Sequence, residues 1–424
     1  MPAIDAMNDK PDVFSCDVDT VSITVAEAMA RIMQAIEPIK GCESVALKSA
    51  LGRVVGDDVV SPVDVPNHTN SAMDGYAFCG SGLPVSGDRQ FRVAGTALAG
   101  SPYHGQVNAD ECVRIMTGAV MPEGTDSVVM QERVQVDSGQ VTVSAGEKPG
   151  ANVRHAGEDI HSGDVVVGKG TRIGASQLGV LASLGLPQVR VVQRPRVAYF
   201  SNGDELRAVG MPLALGEVYD SNRYTLSSML NGLCVEPVDL GVVRDDPDMI
   251  AKVITEATHE ADLIISTAGA SVGEADYIRD ILGRLGQVAF WKVAVKPGRP
   301  LSFGKLGESL FFGLPGNPVS VMVTFQIFVK PAISKLAGEA EFLEPRLSMK
   351  TVSDLKKRPG RMEYQRGIMS VDASGEAIVS STGEQGSGIL SSMSQANCFI
   401  ILPDDSDGAK AGDWVQVKPF PNGM

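Results

Sequence analysis

Apolar positions recur with two different periods along this chain, and the switches between them divide it into parts. Between residues 24 and 39, Ala26, Ala28, Met33 and Ile36 supply the apolar positions of a helix, and Thr24 with Glu27 forms a capping-box pattern ahead of them. Residues 47–63 read as short strands. Residues 62–161 carry short Val-containing runs broken by Gly and Pro, the text of a small mixed or β-rich domain. Strand-like text returns over 162–195, with one apolar helix near 177–184. The pattern predicts an elongated linker module made of 1–61 and 162–195, which includes the N-terminal helix and begins with a loose tail over 1–21. Residues 62–161 form a domain inserted into it.

From residue 196 the periods alternate regularly. Strands are predicted at 196–201, 238–243, 262–266 and 309–313, the third an apolar run of buried type. Between them lie helices: one over 222–234 with Ser221 as N-cap, and one opened by Asp246 as cap and Pro247 at the first helical position. In the latter, Met249, Ile250, Val253, Ile254 and Ala257 share a face. Ile278, Ile281, Leu282 and Leu285 mark a third helix, and Asn317-Pro318 opens a fourth that Pro331 kinks or ends. Strands alternating with helices at this spacing predict a doubly wound, mostly parallel sheet over 196–343. The last stretch, 344–424, changes to short alternating runs such as 398–402 and 414–417 between Gly/Asp turns, which predicts a small β-barrel. The expected fold class is therefore multidomain α/β: one doubly wound sheet domain plus β-rich inserted, linker and C-terminal barrel domains.

Composition narrows the function. The 424 residues are 43% hydrophobic and 21% charged, which suits packed domains, and the net charge of −14 repels phosphate backbones, so no nucleic-acid partner is expected. An anionic small molecule would need cations gathered locally. The N-terminus lacks a basic start and an apolar stretch, and no apolar run is expected to reach membrane-spanning length, so a soluble, cytoplasmic protein without a membrane partner is expected. Six scattered cysteines with no C-x-x-C pair fit free thiols in a reducing compartment. Five histidines without H-E-x-x-H, only His155 and His161 lying close, give a zinc hydrolase little support.

Candidate chemistry gathers where an open α/β sheet binds ligands, beyond the carboxyl ends of its strands. Three loops qualify: 201–205, 267–276 and 313–318. In the second, Gly269, Ser271 and Gly273 would let backbone N–H groups approach phosphate oxygens; the bland alternative is a tight turn capped by Asp276. In the third, Pro315 and Pro318 fix φ while Gly316 permits close approach; the alternative is a strand-to-helix turn capped by Asn317. Glu205, Asp245 and Asp276 each follow a strand end. Converging carboxylates hold Mg²⁺ beside phosphates, although each alone could be a cap. Lys292, Lys296 and Arg299 gather in one run, and Lys292 and Lys296 would share one face if 290–295 is a strand, an anion site or else a solvated face. The inserted segment adds N-S-A-M-D-G-Y at 70–76, with Asp74; R-I-M-T-G-A at 114–119, with Thr117; and Arg154 and Asp159 around Gly157.

These strings resemble one family. P-V-D-V-P at 62–66, the two motifs just quoted, G-E-D-I at 157–160, G-D-E-L at 203–206 and Y-D-S-N-R at 219–223 match it in order. So do S-V-G-E-A-D-Y at 271–277, F-W-K-V-A-V-K-P-G at 290–298, G-L-P-G-N-P-V-S at 313–320, P-G-R-M-E-Y-Q-R-G at 359–367 and G-E-Q-G-S at 383–387. The chain is similar, from about residue 24 onward, to MoeA-type molybdopterin molybdenumtransferases, relatives of the gephyrin E domain. The resemblance implies an elongated four-domain homodimer that exchanges AMP on adenylylated molybdopterin for molybdenum from molybdate, with Mg²⁺. It places Glu205, Asp245 and Asp276 on the family's acidic cleft positions, and Asp74, Thr117, Arg154 and Asp159 on polar positions of the inserted domain. Lys292 and Lys296 would meet phosphate and oxyanion, and Pro315 and Pro318 would form the rigid loop. Arg366 and Ser387 would lie on the molybdate side. The inserted domain of one subunit would complete the cleft of the other.

The resemblance implies further partners: the preceding adenylyltransferase of the pathway and the recipient molybdoenzymes. Departures from the family pattern are Ala268 and Ala270 in the phosphate loop, Asn202 for a frequent Thr, and His155 for a second basic residue. Two other readings stand beside insertion. One is the adenylyltransferase itself, which would be a single compact domain like 196–336; the other is a non-catalytic dimeric scaffold on the same fold.

Overall fold

The computed structural model of the chain describes residues 22–267, 275–290, 292–340 and 344–420. Its first helix, Val25–Ala35, starts where the Thr24 hydroxyl accepts the Glu27 N–H at 3.1 Å. Although this helix precedes the linker in sequence, its buried face (Ala28, Ile32) packs into the core that also holds Val197, Leu230 and Ile333. Two short antiparallel pairs then join distant text: Cys42–Ala46 with Gln188–Val192, and Val59–Val60 with Val165–Val167. Helix Ala175–Ser183 covers them through Leu181, in one cluster with Val55 and Val191.

The chain between these pairs builds its own six-stranded mixed sheet. Its order is Ser127–Met130, Gly75–Phe78, Glu111–Ile115, Asp88–Ala97, Gln140–Ser144, Val134–Asp137. Side chains alternate across it, so adjacent Ala77 and Phe78 enter different clusters.

The next sheet positions the site. Its order is Glu236–Val243, Arg196–Asn202, Leu263–Thr267, Ser309–Leu314, Ser302–Leu306, Gln287–Phe290. The first four strands run parallel, and the last two complete an antiparallel edge. Strand Arg196–Asn202 is apolar throughout its middle because both faces are covered: Val197 and Tyr199 enter one core, Ala198 and Phe200 the other. Asp220, not Ser221, caps the helix Ser221–Asn231; its carboxylate accepts the Arg223 N–H at 3.1 Å, a bond the shorter Ser221 would offer one residue late. Asp246 and Pro247 open the helix Pro247–Thr258 as expected.

The helix that follows the last parallel strand runs from Pro318 to Leu336, 19 residues long and apolar enough to cross a membrane by length and composition. That corrects the expectation that no run reaches such length. It is 89% buried inside the protein, so it serves as a core helix. Pro331 neither ends nor breaks it. The preceding turn widens into a π segment, Phe325–Val329, which accommodates a residue that lacks an N–H and crowds the carbonyl four residues back.

Five C-terminal strands close into a ring: Met362–Val371, Ala377–Ser381, Leu347–Thr351, Trp414–Pro419 and Cys398–Leu402, which returns to the first. A two-residue strand, Val295–Lys296, lies parallel to Met362 and Glu363. All five cysteines among the described residues are free.

The linker is tied to the sheet unit by a forked ion pair. Arg172 Nε and Nη2 each meet a Glu339 oxygen at 3.0 Å, and Ala340 N–H donates to the Gly170 carbonyl at 3.0 Å. Burial pushes the Glu339 carboxyl up, but hydrogen bonds from Arg172 and Ser334 outweigh it and hold it below its ordinary value. Its contribution is therefore present above that ordinary value and fades as pH falls through the lowered one. Arg172→Met should cost about 2 kcal/mol at neutral pH. The gap in thermal midpoint between the two proteins should shrink in acid; a gap indifferent to pH would show that charge pairing does not join these units.

Candidate functional site

The site is built on the carboxyl ends of the four parallel strands, where Val243, Asn202, Thr267 and Leu314 lie side by side. Beyond them opens a cleft of about 520 Å³ lined by Glu205, Asp220, Asn222, Thr267, Pro300 and the run from Pro315 to Pro318. The strand order places the reversal of winding direction beside Arg196–Asn202, where the two crossovers leave to opposite faces and open a crevice.

Each wall has a local cause. Glu205 folds back over Gly203, whose φ is +152°; a Cβ there would sit 2.6 Å from a Glu205 oxygen, so only glycine lets the carboxylate take this place. Asp245 is held by the same loop: Asn202 Nδ2 donates to it at 2.7 Å and the Asp204 N–H at 3.3 Å. In the third loop Asn317 occupies the cap position, yet its side chain makes no capping hydrogen bond and lines the cleft. Asn222 Nδ2 donates to the Gly316 carbonyl at 2.7 Å and fixes that loop to the helix opposite.

Beneath the cleft runs a buried polar chain that the sequence reading did not single out. Thr267 Oγ1 donates to Ser201 Oγ at 2.9 Å, and Ser201 Oγ to Asp220 Oδ1 at 3.0 Å. Arg223 then bridges Asp220 at 3.4 Å and Asp239 at 3.3 Å. Asp220 is 1% exposed, and its Oδ2 accepts no hydrogen bond. The only sequence signal for it was its place in Y-D-S-N-R. Asn202 Oδ1, Asn222 Oδ1 and Ser266 Oγ are likewise buried without partners. Of these, Asn202 is bonded to Asp245 and Asn222 lines the cleft with Glu205; free amide oxygens there are hard donors of the kind Mg²⁺ and its waters take up. Among the described residues no group of three metal-ligating side chains forms a complete site. Asp276 falls in the first turn of helix Ala275–Leu285; its side chain, and Gly269, Ser271 and Gly273 entirely, lie outside the described residues.

The cations are arranged differently from the expectation. The sheet strand stops at Phe290, so Lys292 and Lys296 do not share a strand face. The chain turns away because Ile23 bridges Val293 and Val295–Lys296 pairs with the barrel. Lys292 is exposed, while Lys296 Nζ donates to Glu363 at 3.0 Å, a carboxylate only 3% exposed that the sequence reading also missed.

Arg366 does not present an open guanidinium. It is 1% exposed; Nε donates to Ser392 Oγ at 3.0 Å and Nη2 to the carbonyls of Gly386 at 2.9 Å and Glu384 at 3.3 Å. Burial lowers its pKa to about 10, so it keeps its charge at neutral pH. It shapes the 384–387 loop, and that loop meets the helix that starts at the cleft wall: the Val319 N–H donates to the Ser387 carbonyl at 3.1 Å. The barrel thereby docks Ser387 beside Pro318.

Four other candidates sit in the inserted unit. Thr117 donates to Asp74 Oδ1 twice, from N–H at 2.7 Å and Oγ1 at 2.8 Å, and these bonds hold the Asp74 carboxyl below its ordinary value. Arg154 pairs with Asn70 across a two-residue ladder, and the Asp159 N–H donates to the Val65 carbonyl. All four are exposed, and no described hydrogen bond or cleft wall links them to Glu205 or Asp245 within one chain.

Comparisons with known proteins agree from residue 23 to residue 420. Residues 23–185 match the family described as MoeA N-terminal region (domain I and II), 198–335 the probable molybdopterin binding domain, and 349–420 the MoeA C-terminal region (domain IV). The molybdopterin molybdenumtransferase of Haemophilus influenzae is 41% identical over 400 residues, 94% of this chain and 98% of that protein. Gephyrin of Dictyostelium discoideum is 32% identical over 93% of this chain and 61% of its own length. A crystal structure of the molybdopterin biosynthesis MoeA protein of Pyrococcus horikoshii superposes with TM-score 0.82 at 28% identity, over 94% of this chain and all of that one. The chain therefore belongs to the MoeA family of molybdopterin molybdenumtransferases, transferases of molybdenum cofactor biosynthesis.

Proposed function

We propose that the strand-end cleft binds adenylylated molybdopterin and exchanges its AMP for molybdenum taken from molybdate. The observation that carries this reading is the meeting, in one cleft, of the Glu205 carboxylate and the Pro315–Pro318 loop, with the barrel loop that holds Ser387 bonded to the next residue, Val319. The obstacle is repulsion among three anionic groups: the pyrophosphate link, the dithiolene and the oxyanion. Lys292 and Lys296 offset it by their charge, and Ser387 offers a polar contact from the barrel side. Arg366 acts indirectly, by fixing the loop and adding positive charge beneath it.

Glu205, Asp245 and Asp276 would hold Mg²⁺, which supplies charge neutralisation at the phosphates. The chain's own groups position the reactants. The Thr267–Ser201–Asp220 chain holds the end of strand Leu263–Thr267 rigid ahead of the phosphate loop, and the prolines fix the opposite wall. AMP leaves when water or a molybdate oxygen attacks phosphorus and the phosphoanhydride P–O bond breaks. Sulfur ligates molybdenum with departure of oxide oxygen as water, the protons coming from the thiols. We place this reaction in the cytoplasm, in a homodimer whose inserted unit brings Asp74, Thr117, Arg154 and Asp159 to the partner's cleft. It follows an adenylyltransferase and precedes delivery to molybdoenzymes.

Asp276→Ala and Asp245→Asn should each slow AMP release from the adenylylated substrate by roughly a hundredfold and raise the Mg²⁺ needed for half-maximal rate. Unchanged hydrolysis in either variant removes that residue from the metal role. A shared cleft makes a second expectation. Glu205→Gln and Asp74→Asn should each be nearly inactive alone, yet mixed and reassociated in equal amounts they should regain about a quarter of wild-type activity, since half the dimers then carry one intact cleft. No recovery on verified reassociation would place Asp74 and Glu205 in the same subunit's site.

A further inference from the structure

A second basin lies on the C-terminal barrel, outside the strand-end cleft. It is a groove of about 880 Å³ whose lining includes six cations, Lys296, Lys356, Lys357, Arg358, Arg361 and Lys410, against four carboxylates. In a chain of net charge −14 this is a local reversal of sign. The carboxylates do not cancel it. Asp354 faces Lys410 at 3.7 Å, and Glu363 faces Lys296 at 3.0 Å. Lys357 is 8% exposed, with its side-chain nitrogen bonded to the carbonyls of Ser406 at 2.8 Å and Asp404 at 3.1 Å, and it makes no ion pair among the described residues. Lys356, Arg358 and Arg361 have no ion pair among the described residues. Like charges held together on one wall repel, and a bound anion relieves that repulsion.

The shape narrows the ligand. The described lining includes no aromatic side chain on which a base could stack, and its apolar floor is only Leu355 and Ala409. The volume is that of a whole small-molecule site, much larger than one tetrahedral oxyanion needs. Two guanidinium forks suit phosphate oxygens held in pairs. We propose that this groove binds a compact anion carrying two or more phosphate groups. Lys296 sits at its edge, and Pro300, four residues on, lines the cleft. An anion in the groove therefore competes with Glu363 for Lys296; only this coupling rests on the function proposed above.

Inorganic pyrophosphate, titrated calorimetrically into the full-length protein without substrate, tests the site independently of turnover. One site per chain that depends on the groove cations is expected, weakened at least tenfold when Lys356, Arg358 and Arg361 are reversed to Glu, and weakened by added salt. Lys252→Ala, on the exposed face of the helix Pro247–Thr258, should bind as wild type. Should the triple variant unfold by circular dichroism, Arg358→Gln with Arg361→Gln serves in its place. ATP binding comparable to pyrophosphate supports recognition of the phosphate chain alone. Binding that survives charge reversal, or sulfate binding as tightly as pyrophosphate, overturns the proposal.

Discussion

The short pairing of Val295–Lys296 with Met362 and Glu363 decides where positive charge sits in this molecule. A doubly wound sheet offers backbone N–H groups and carboxylates at its strand ends, but few cations. Here the chain leaves the sheet after Phe290, takes a stabilising contact from Ile23, and reaches the barrel before returning as Ser302–Leu306. That detour carries Lys292, Lys296 and Arg299. The buried Glu363 then fixes the Lys296 ammonium at the junction, where a half-exposed cation feels less screening than one on open surface. Sheet, barrel and proposed anion chemistry all depend on this one departure from regular winding.

The cleft walls answer to a second constraint, the need to satisfy polar groups under an apolar sheet. Thr267, Ser201 and Asp220 hand hydrogen bonds along three elements, and Arg223 closes the chain against Asp239. Such a chain leaves the strand ends little freedom to shift. Arg366 does the same for the opposite rim: its donors fasten the 384–387 loop, which fastens to the helix start at Val319. Rigidity on both sides suits a reaction whose reactants supply the bond chemistry and whose protein supplies placement.

Much of this was legible in residue order. Alternation of apolar runs with helical spacing located all four parallel strands; the three inner ones are covered on both faces and so need unbroken apolar text, while the edge strand Glu236–Val243 does not. Asp246-Pro247 announced its helix, since cap and first-turn chemistry are local. The failures share a cause: they concern partners distant in sequence. Nothing near Lys292 says that Ile23 will draw its segment aside. Nothing beside Arg366 says that Ser392 and the 384–386 carbonyls will surround its guanidinium. Asp220 was passed over for Ser221 because both are good caps, and only the buried Ser201 hydroxyl distinguishes them. The helix with Pro331 was read as interrupted because the π turn that absorbs a proline has no sequence signature of its own. Of the candidate site, the carboxylates and prolines came from position relative to strand ends, while Ser387 came from resemblance and acquires a physical reason only in its bond to Val319.

The barrel itself has a consequence for how this chain is put together. Its ring of five strands closes on itself, yet along Met362 and Glu363 the outer flank is occupied by a stave borrowed from the neighbouring sheet unit. The family boundaries run between these units as though each were a separable cassette. The backbone does not follow them there. Excising the C-terminal cassette would strip that flank, uncover unpaired peptide groups and strand a buried carboxylate without its ammonium. Recombination among relatives must therefore exchange the pair of cassettes together or rebuild the seam, which makes this joint a unit of inheritance larger than either fold that meets in it.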